Sequence, residues 1–95
     1  MTRGNGELWR LNLENLKNLG PVSSRQLQAV GIETVEQLEA AGPVQAFNLV
    51  ANRFPSETSV TFLYAVHGAL LDIHWNELSA EEKERLRNDV RRSGG

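Results

Sequence analysis

Apolar positions along this chain recur at intervals of three and four residues, and no strand-length stretch alternates between apolar and polar residues. This spacing predicts amphipathic helices rather than a sheet, because side chains three or four residues apart share one face of a helix. Glycines, prolines and polar capping residues divide the pattern into about five helices with short connections. The predicted fold class is therefore all-α, a compact bundle of about five helices.

The first helix boundaries follow from individual residues. Ser23 can cap a helix that stops at Gly31, because glycine tolerates the left-handed backbone found after helix ends. Thr34 and Gln37 have the spacing of a capping box and open a short helix that Gly42 closes. These boundaries predict two short helices in succession.

The later boundaries are set by prolines and a second capping box. Pro43 fits the first turn of a helix, where its missing N–H group costs nothing, and Pro55 ends that helix. Ser79 and Glu82 form the second capping box, which opens a charged helix extending to about Arg92. The sequence thus predicts a charged C-terminal helix.

The stretch from residue 59 to residue 73 is apolar on nearly every face and includes Leu63 and Leu70. A helix that is apolar all round must be packed by neighbours on all sides. We therefore expect this helix to form the core of the domain. Trp75 and Leu78 are expected to close the core beneath the last helix.

Length and composition limit the possible classes of protein. The 95 residues are enough for one domain, and the absence of cysteine excludes disulfides, thiolate catalysis and zinc sites that need sulfur. The N-terminus lacks the apolar core of a signal peptide. The most apolar run, residues 60–71, is shorter than the roughly 20 residues that span a bilayer. We therefore expect a cytoplasmic protein with no membrane partner.

The net charge of −2 is distributed unevenly along the chain. Residues 1–31 carry a net charge of +2, residues 32–82 carry −7, and residues 83–95 carry +3. A polyanion could therefore be bound on one side of the domain only. The alternative is that these charges belong to solvated helix faces that bind no partner.

The segment from Leu16 to Leu27 has the pattern of a helix, a glycine hairpin and a second helix. In this motif consecutive backbone N–H groups and the following helix N-terminus point at one phosphate oxygen. Asn18 stands where the first glycine is expected, and asparagine also tolerates the left-handed region. The candidate DNA-phosphate contacts are Lys17, Asn18, Gly20, Val22, Ser23 and Arg25.

Other residues oppose DNA binding at this hairpin. Val22 occupies a position where lysine would help to bind a phosphate, and three glutamates, at positions 33, 36 and 39, follow shortly afterwards. Their charges would repel a phosphate backbone within a Debye length of about 8 Å. The alternative is a hairpin that only joins two packed helices, in which a side chain at Gly20 would be forced into the turn. This balance favours a protein-binding role over weak binding of the DNA backbone.

No catalytic or metal site stands out. His67 and His74 lie seven residues apart with Asp72 nearby, but a third strong ligand at a useful spacing is missing. We expect His67 to be packed in the central helix and His74 to form a hydrogen bond across the helix end. No nucleophile triad, P-loop or dinucleotide turn is recognisable, so we expect no enzymatic activity, cofactor or small-molecule substrate.

Several short motifs together resemble a known family: LGPVSS at 19–24, TVEQL at 34–38, LYA at 63–65, GAL at 68–70 and HW at 74–75. In this order they are similar to the C-terminal domain of the TfoX/Sxy competence regulators. The resemblance implies a helical domain at residues 11–92, related to helix-hairpin-helix and SAM-like folds, with flexible tails at 1–10 and 93–95.

The same resemblance implies a function. Family members help the cyclic-AMP receptor protein to activate the promoters of DNA-uptake genes, without catalysis. A protein partner is expected, either from the transcription machinery or a second copy of the chain. The family usually carries an α/β domain in front, for which residues 1–10 leave no room, so we expect a stand-alone or truncated version or a changed role.

Overall fold

The structure, a computed structural model, describes residues 13–94, and every regular element in this range is a helix or a 3-10 turn, without a strand. The predicted all-α fold class is thereby confirmed. Its elements are a 3-10 turn at Leu13–Asn15, α1 at Pro21–Ala29, α2 at Val35–Arg53, α3 at Val60–Leu71, a second 3-10 turn at Trp75–Glu77 and α4 at Ala80–Gly94. The predicted tail at residues 1–10 and Gly95 lie outside the described residues.

Residues 13–94 form four α-helices rather than about five, because two predicted helices are joined into the kinked helix α2. At Gly42 the backbone has φ 79° and ψ 166°, a non-helical conformation that suits glycine. Pro43 follows it in the first turn of the second segment, as predicted. The helix ends at Arg53, two residues before Pro55. The two predicted helices are thus the two arms of α2.

Both capping boxes are confirmed. The Thr34 hydroxyl accepts a hydrogen bond from the Gln37 N–H group at 3.0 Å, and the Gln37 side chain accepts one from the Thr34 N–H group at 3.2 Å. Ser79 and Glu82 make the same exchange at 3.1 and 3.2 Å. Each pair satisfies two N–H groups at a helix start that would otherwise lack partners.

The start of α1 differs from the prediction. The helix begins at Pro21 with Gly20 as its N-cap, so Ser23 lies in the first turn and is not the cap. Proline fixes φ near the helical value and is therefore well placed as the first helical residue. After α1 the chain takes a positive φ of 91° at Gly31, where the helix was predicted to stop.

Helix α3 is the central element, as its sequence predicted. It packs against α2 and α4, and its buried residues are Phe62, Leu63, Tyr64, Ala65, Val66, Gly68 and Ala69. Leu63 is only 1% exposed, whereas Leu70 is half-buried. None of the helices in the described range is both long and apolar enough to cross a membrane.

An aromatic pair connects α4 to the central helix. Trp75 stacks on Tyr64 with ring centroids 6.0 Å apart, and the Lys83 ammonium lies 5.5 Å from the centroid of the Tyr64 ring and 5.1 Å from that of Trp75. Arg87 donates a hydrogen bond of 2.6 Å to the Tyr64 hydroxyl. Leu78 is buried beside Tyr64. Trp75 and Leu78 therefore close the core beneath the last helix, as predicted, and cation–π contacts add to the apolar packing.

Candidate interaction surface at the hairpin

The hairpin before α1 has a shorter first arm than the sequence predicted. Within the described residues this arm is the 3-10 turn at Leu13–Asn15, not an α-helix. The Leu16 N–H group donates to the Leu13 carbonyl at 3.0 Å, and the Leu19 N–H group donates to the Leu16 carbonyl at 3.1 Å. Leu13 and Leu19 are buried, so the apolar residues of the hairpin fix it to the core.

Asn18 takes the left-handed conformation that its place in the motif predicted, with φ at 73°. Its side chain, however, faces the protein interior. Nδ2 donates to the carbonyls of Ile73 at 2.8 Å and Ala65 at 3.3 Å, and Oδ1 accepts from the Trp75 N–H group at 3.2 Å. We call these three hydrogen bonds the Asn18 brace. They leave the amide unavailable to a phosphate, so Asn18 is a structural residue.

The brace requires a glycine at position 68. A Cβ atom added there would lie 2.7 Å from Asn18 Nδ2, 2.8 Å from the Ile73 carbonyl oxygen and 3.2 Å from Trp75 Cα. These separations are shorter than van der Waals contact. Gly68 therefore provides the space through which the Asn18 amide reaches the end of α3. In the sequence Gly68 is recognisable only as part of a family motif, and this role was not predicted.

Gly20 is less constrained than its place in the hairpin predicted. Its φ is −134°, an extended conformation open to any residue, and a Cβ atom added there would meet no atom within 4 Å. The expectation that a side chain at Gly20 would be forced into the turn is therefore wrong. The turn is made possible by the left-handed Asn18 two residues earlier.

The remaining candidate phosphate contacts lie at the surface. Lys17, Val22 and Arg25 are exposed, and Ser23 is partly buried. Among the large apolar residues that the structure describes, Val22 is the most exposed, at 59%. Within residues 13–94 neither Lys17 nor Arg25 forms an ion pair. Val22 is thus an exposed apolar side chain at the tip of the hairpin. Lys17 precedes it in the sequence and Arg25 follows it.

A groove of about 370 Å³ lies beside Val22, between α1 and the start of α3. Its lining residues are Asn18, Val22, Ser23, Gln26, Glu57, Ser59, Thr61, Phe62, Ala65 and Trp75. Glu57 supplies the single formal charge of this lining, and its Oε1 accepts only a long hydrogen bond of 3.5 Å from Gln26. We call Val22, Arg25, Gln26, Glu57 and the groove the hairpin surface.

Glu57 is the residue of this surface that sequence reasoning missed. It lies in the connection between α2 and α3, 31 residues after the residue it contacts, Gln26. No local pattern links the two positions. A carboxylate beside the start of α1 opposes the approach of a phosphate, because like charges repel.

A second cleft, of about 480 Å³, opens on the side of the α2 kink. Its lining residues are Ala41, Gly42, Pro43, Val44, His67, Leu71, Glu82, Arg85, Leu86 and Asp89. Leu71 is 49% exposed at this cleft. Charges of both signs line this cleft, so Leu71 is an exposed apolar residue that can serve as a control for Val22.

The two histidines do not form a site together. His67 is half-buried in the second cleft, and His74 is exposed at the start of the second 3-10 turn. The hydrogen bond expected of His74 across the helix end is not formed by its side chain within residues 13–94; its carbonyl accepts a bond from the Glu77 N–H group at 2.9 Å in the 3-10 turn. Among residues 13–94 no three histidine, aspartate or glutamate side chains come together as metal ligands.

Zinc should therefore not stabilise the fold. We predict that neither zinc nor a chelator changes the melting temperature measured by circular dichroism. Metal binding alters the stability of a fold through a structural site, and no group of three ligands is formed among residues 13–94. A His67→Gln variant should respond in the same way as the wild type. A fall of several degrees with the chelator, abolished by His67→Gln, would contradict the prediction.

Comparisons with known proteins agree with the helical fold. The sequence model of a family described as the TfoX C-terminal domain matches residues 10–90. A Listeria monocytogenes protein described as uncharacterised, in a triclinic crystal form, is similar at 31% identity and a TM-score of 0.78, over 88% of this chain and 94% of that one.

A tetragonal crystal structure of a Listeria monocytogenes protein of unknown function is also similar. It has 31% identity and a TM-score of 0.76, over 84% of this chain and 96% of that one. No curated protein matches the chain. The family model and the two structures thus cover nearly the same part of the sequence.

Proposed function

Because this chain belongs to the TfoX C-terminal domain family, we propose that it is a non-enzymatic regulatory module that contacts a protein through its hairpin surface. The process is transcription of DNA-uptake genes in the cytoplasm, with the cyclic-AMP receptor protein as the partner to test first. The observation that carries this proposal is Val22, which is 59% exposed at the tip of the hairpin.

The residues around Val22 favour binding of a protein at this surface over binding of a DNA phosphate. Pro21 has no N–H group to donate, and Val22 stands where a cation would strengthen phosphate binding. The Asn18 amide is bonded to the core, and Glu57 lies in the adjoining groove. An apolar side chain beside a groove with polar edges is typical of the central part of protein–protein interfaces.

Binding of the DNA backbone is the second candidate function. The observation that favours it is the exposure of Lys17 and Arg25, neither of which forms an ion pair within residues 13–94. The first turn of α1 also has N–H groups without intrahelical acceptors. Two cations and a helix start could hold two or three phosphates without reading the base sequence.

The proposed protein contact predicts a specific loss of binding. Fluorescence anisotropy of the labelled domain, titrated with purified cyclic-AMP receptor protein and cyclic AMP, should show that Val22→Glu weakens binding about tenfold or more. The physical reason is that a buried, unpaired carboxylate is costly at an interface. Leu71→Glu is the matched control, since it places the same charge at another exposed apolar position, and it should change Kd less than threefold.

Two results would count against the protein contact. One is the absence of receptor binding at 100 µM protein, roughly the weak end of transient interactions. The other is an equal loss with Val22→Glu and Leu71→Glu. A melt of each variant verifies that the fold is intact, as expected for substitutions at exposed positions.

A duplex DNA titration separates the second candidate. If the hairpin neutralises two or three phosphates, log K should fall against log salt with a slope of about −2 to −3. Lys17→Ala should then flatten the slope by about one unit. We expect instead a slope shallower than −2 that Lys17→Ala leaves unchanged.

A further inference from the structure

We propose that the hairpin surface also binds a second copy of this chain, forming a two-fold symmetric dimer in which Arg25 of each copy pairs with Glu57 of the other. Val22 of each copy packs at the centre of this contact. The inference rests on the proposed function, because it assigns a protein partner to the same surface. It differs in naming a partner that the chain itself provides.

The order of residues on α1 places Arg25 on one side of Val22 and Gln26 on the other. Gln26 contacts Glu57, which supplies the negative charge. Arg25 follows Val22 by three residues and Gln26 follows it by four, so both neighbour Val22 along the helix surface. Gln26 lines the groove and touches Glu57, whereas Arg25 is exposed and does not line the groove. The cation therefore lies on one side of the apolar residue and the anion on the other.

This order makes the surface complementary to itself. In a two-fold dimer the same patch is used by both copies, so if residue i contacts residue j, then j also contacts i. A two-fold axis near Val22 brings the Arg25 side of one copy onto the Glu57 side of the other. Both charge pairs form together, and the two valines meet at the axis.

The available charges favour this occupant over others. Within the described residues Arg25 has no ion-pair partner, and the Glu57 carboxylate accepts only the 3.5 Å hydrogen bond from Gln26. DNA would satisfy the cation but bring phosphates towards Glu57, and a basic peptide would satisfy Glu57 but be repelled by Arg25. A second copy supplies the opposite charge at both positions.

The expected dimer is weak. Val22 is the only large, strongly exposed apolar residue on α1, and ion pairs at an exposed rim are partly screened by salt. Association should therefore be detected by sedimentation velocity between about 10 µM and 1 mM, as expected for a dissociation constant far above the nanomolar range. Raising the salt concentration should weaken it further.

Charge exchange provides the decisive experiment. The single variants Arg25→Glu and Glu57→Arg each place like charges at both symmetric contacts, and each should weaken dimerisation about tenfold or more. The double variant Arg25→Glu/Glu57→Arg restores opposite charges and should return the dimerisation constant to within about threefold of wild type. Arg91→Glu and Glu84→Arg make the same charge changes on α4 and serve as controls that should leave it unchanged.

The outcomes separate this inference from the proposed function. A wild-type protein that stays monomeric to 1 mM, or a double variant that does not recover, would overturn the dimer, while receptor binding that depends on Val22 would remain. If Arg25→Glu weakens and Glu57→Arg strengthens duplex DNA binding, without an effect on mass, the surface binds DNA and the dimer is wrong. Circular dichroism melts of all variants test whether each is folded, so that a change in mass can be assigned to dimerisation and not to unfolding.

Discussion

Replacement of Gly68 by alanine is expected to destabilise the domain by about 3 kcal/mol, the upper end of the range for inserting a methyl group into a packed site. The added Cβ atom would lie 2.7 Å from Asn18 Nδ2 and 2.8 Å from the Ile73 carbonyl oxygen. The carbonyl belongs to the backbone and cannot move without displacing the chain after α3. Urea unfolding followed by circular dichroism measures the change.

Gly20→Ala is the matched control. It makes the same chemical change at a glycine with an extended φ of −134° and no atom within 4 Å of the added methyl group. A loss of less than about 1 kcal/mol is expected, because alanine is a poorer N-cap than glycine but fits the backbone. Equal losses at both glycines would show that space around Gly68 is not what determines its identity.

Replacement of Asn18 by alanine is expected to cost slightly more, about 4 kcal/mol, as the sum of lost hydrogen bonds and backbone strain. The change removes the three hydrogen bonds of the Asn18 brace, each worth about 1 kcal/mol. It also leaves alanine at a φ of 73°, which asparagine tolerates better. Thermal or urea unfolding, combined with a duplex DNA titration, shows whether the effect is on the fold, on DNA binding or on both.

Two further variants separate the causes. Asn18→Gly keeps the left-handed backbone and loses the hydrogen bonds, so it should recover only the backbone part, about 1 kcal/mol. The double variant Asn18→Ala/Gly68→Ala should be less unstable than the sum of its parts by about 1 kcal/mol or more, because one clash partner is gone. Strict additivity would mean that the two residues act independently, contrary to the structure.

Features encoded by neighbouring residues were predictable from the sequence. The exchange between Thr34 and Gln37 spans three residues, and the apolar faces of α3 are visible within its own segment. Both were predicted correctly for this reason. The number of helices was not set by local residues, because whether Gly42 separates two helices or bends one depends on how the arms pack.

Features that depend on distant residues were not predictable. Asn18 was expected at the surface because its local motif suits a phosphate, but its partners lie 47 to 57 residues later in the chain. Glu57 was not assigned to the hairpin surface for a similar reason, since it meets Gln26 across 31 residues. A one-dimensional pattern cannot report which groups meet across such separations.

The separation between Asn18 and its partners also determines when the hairpin can become part of the native structure. Synthesis proceeds from the N-terminus, so Asn18 emerges long before Ile73 and Trp75 exist. Bringing residues this far apart together costs the conformational entropy of closing a long loop. Helices avoid this cost because their hydrogen bonds join residues close in sequence. On the ribosome, therefore, the Asn18 brace can be completed only after Trp75 has been synthesised.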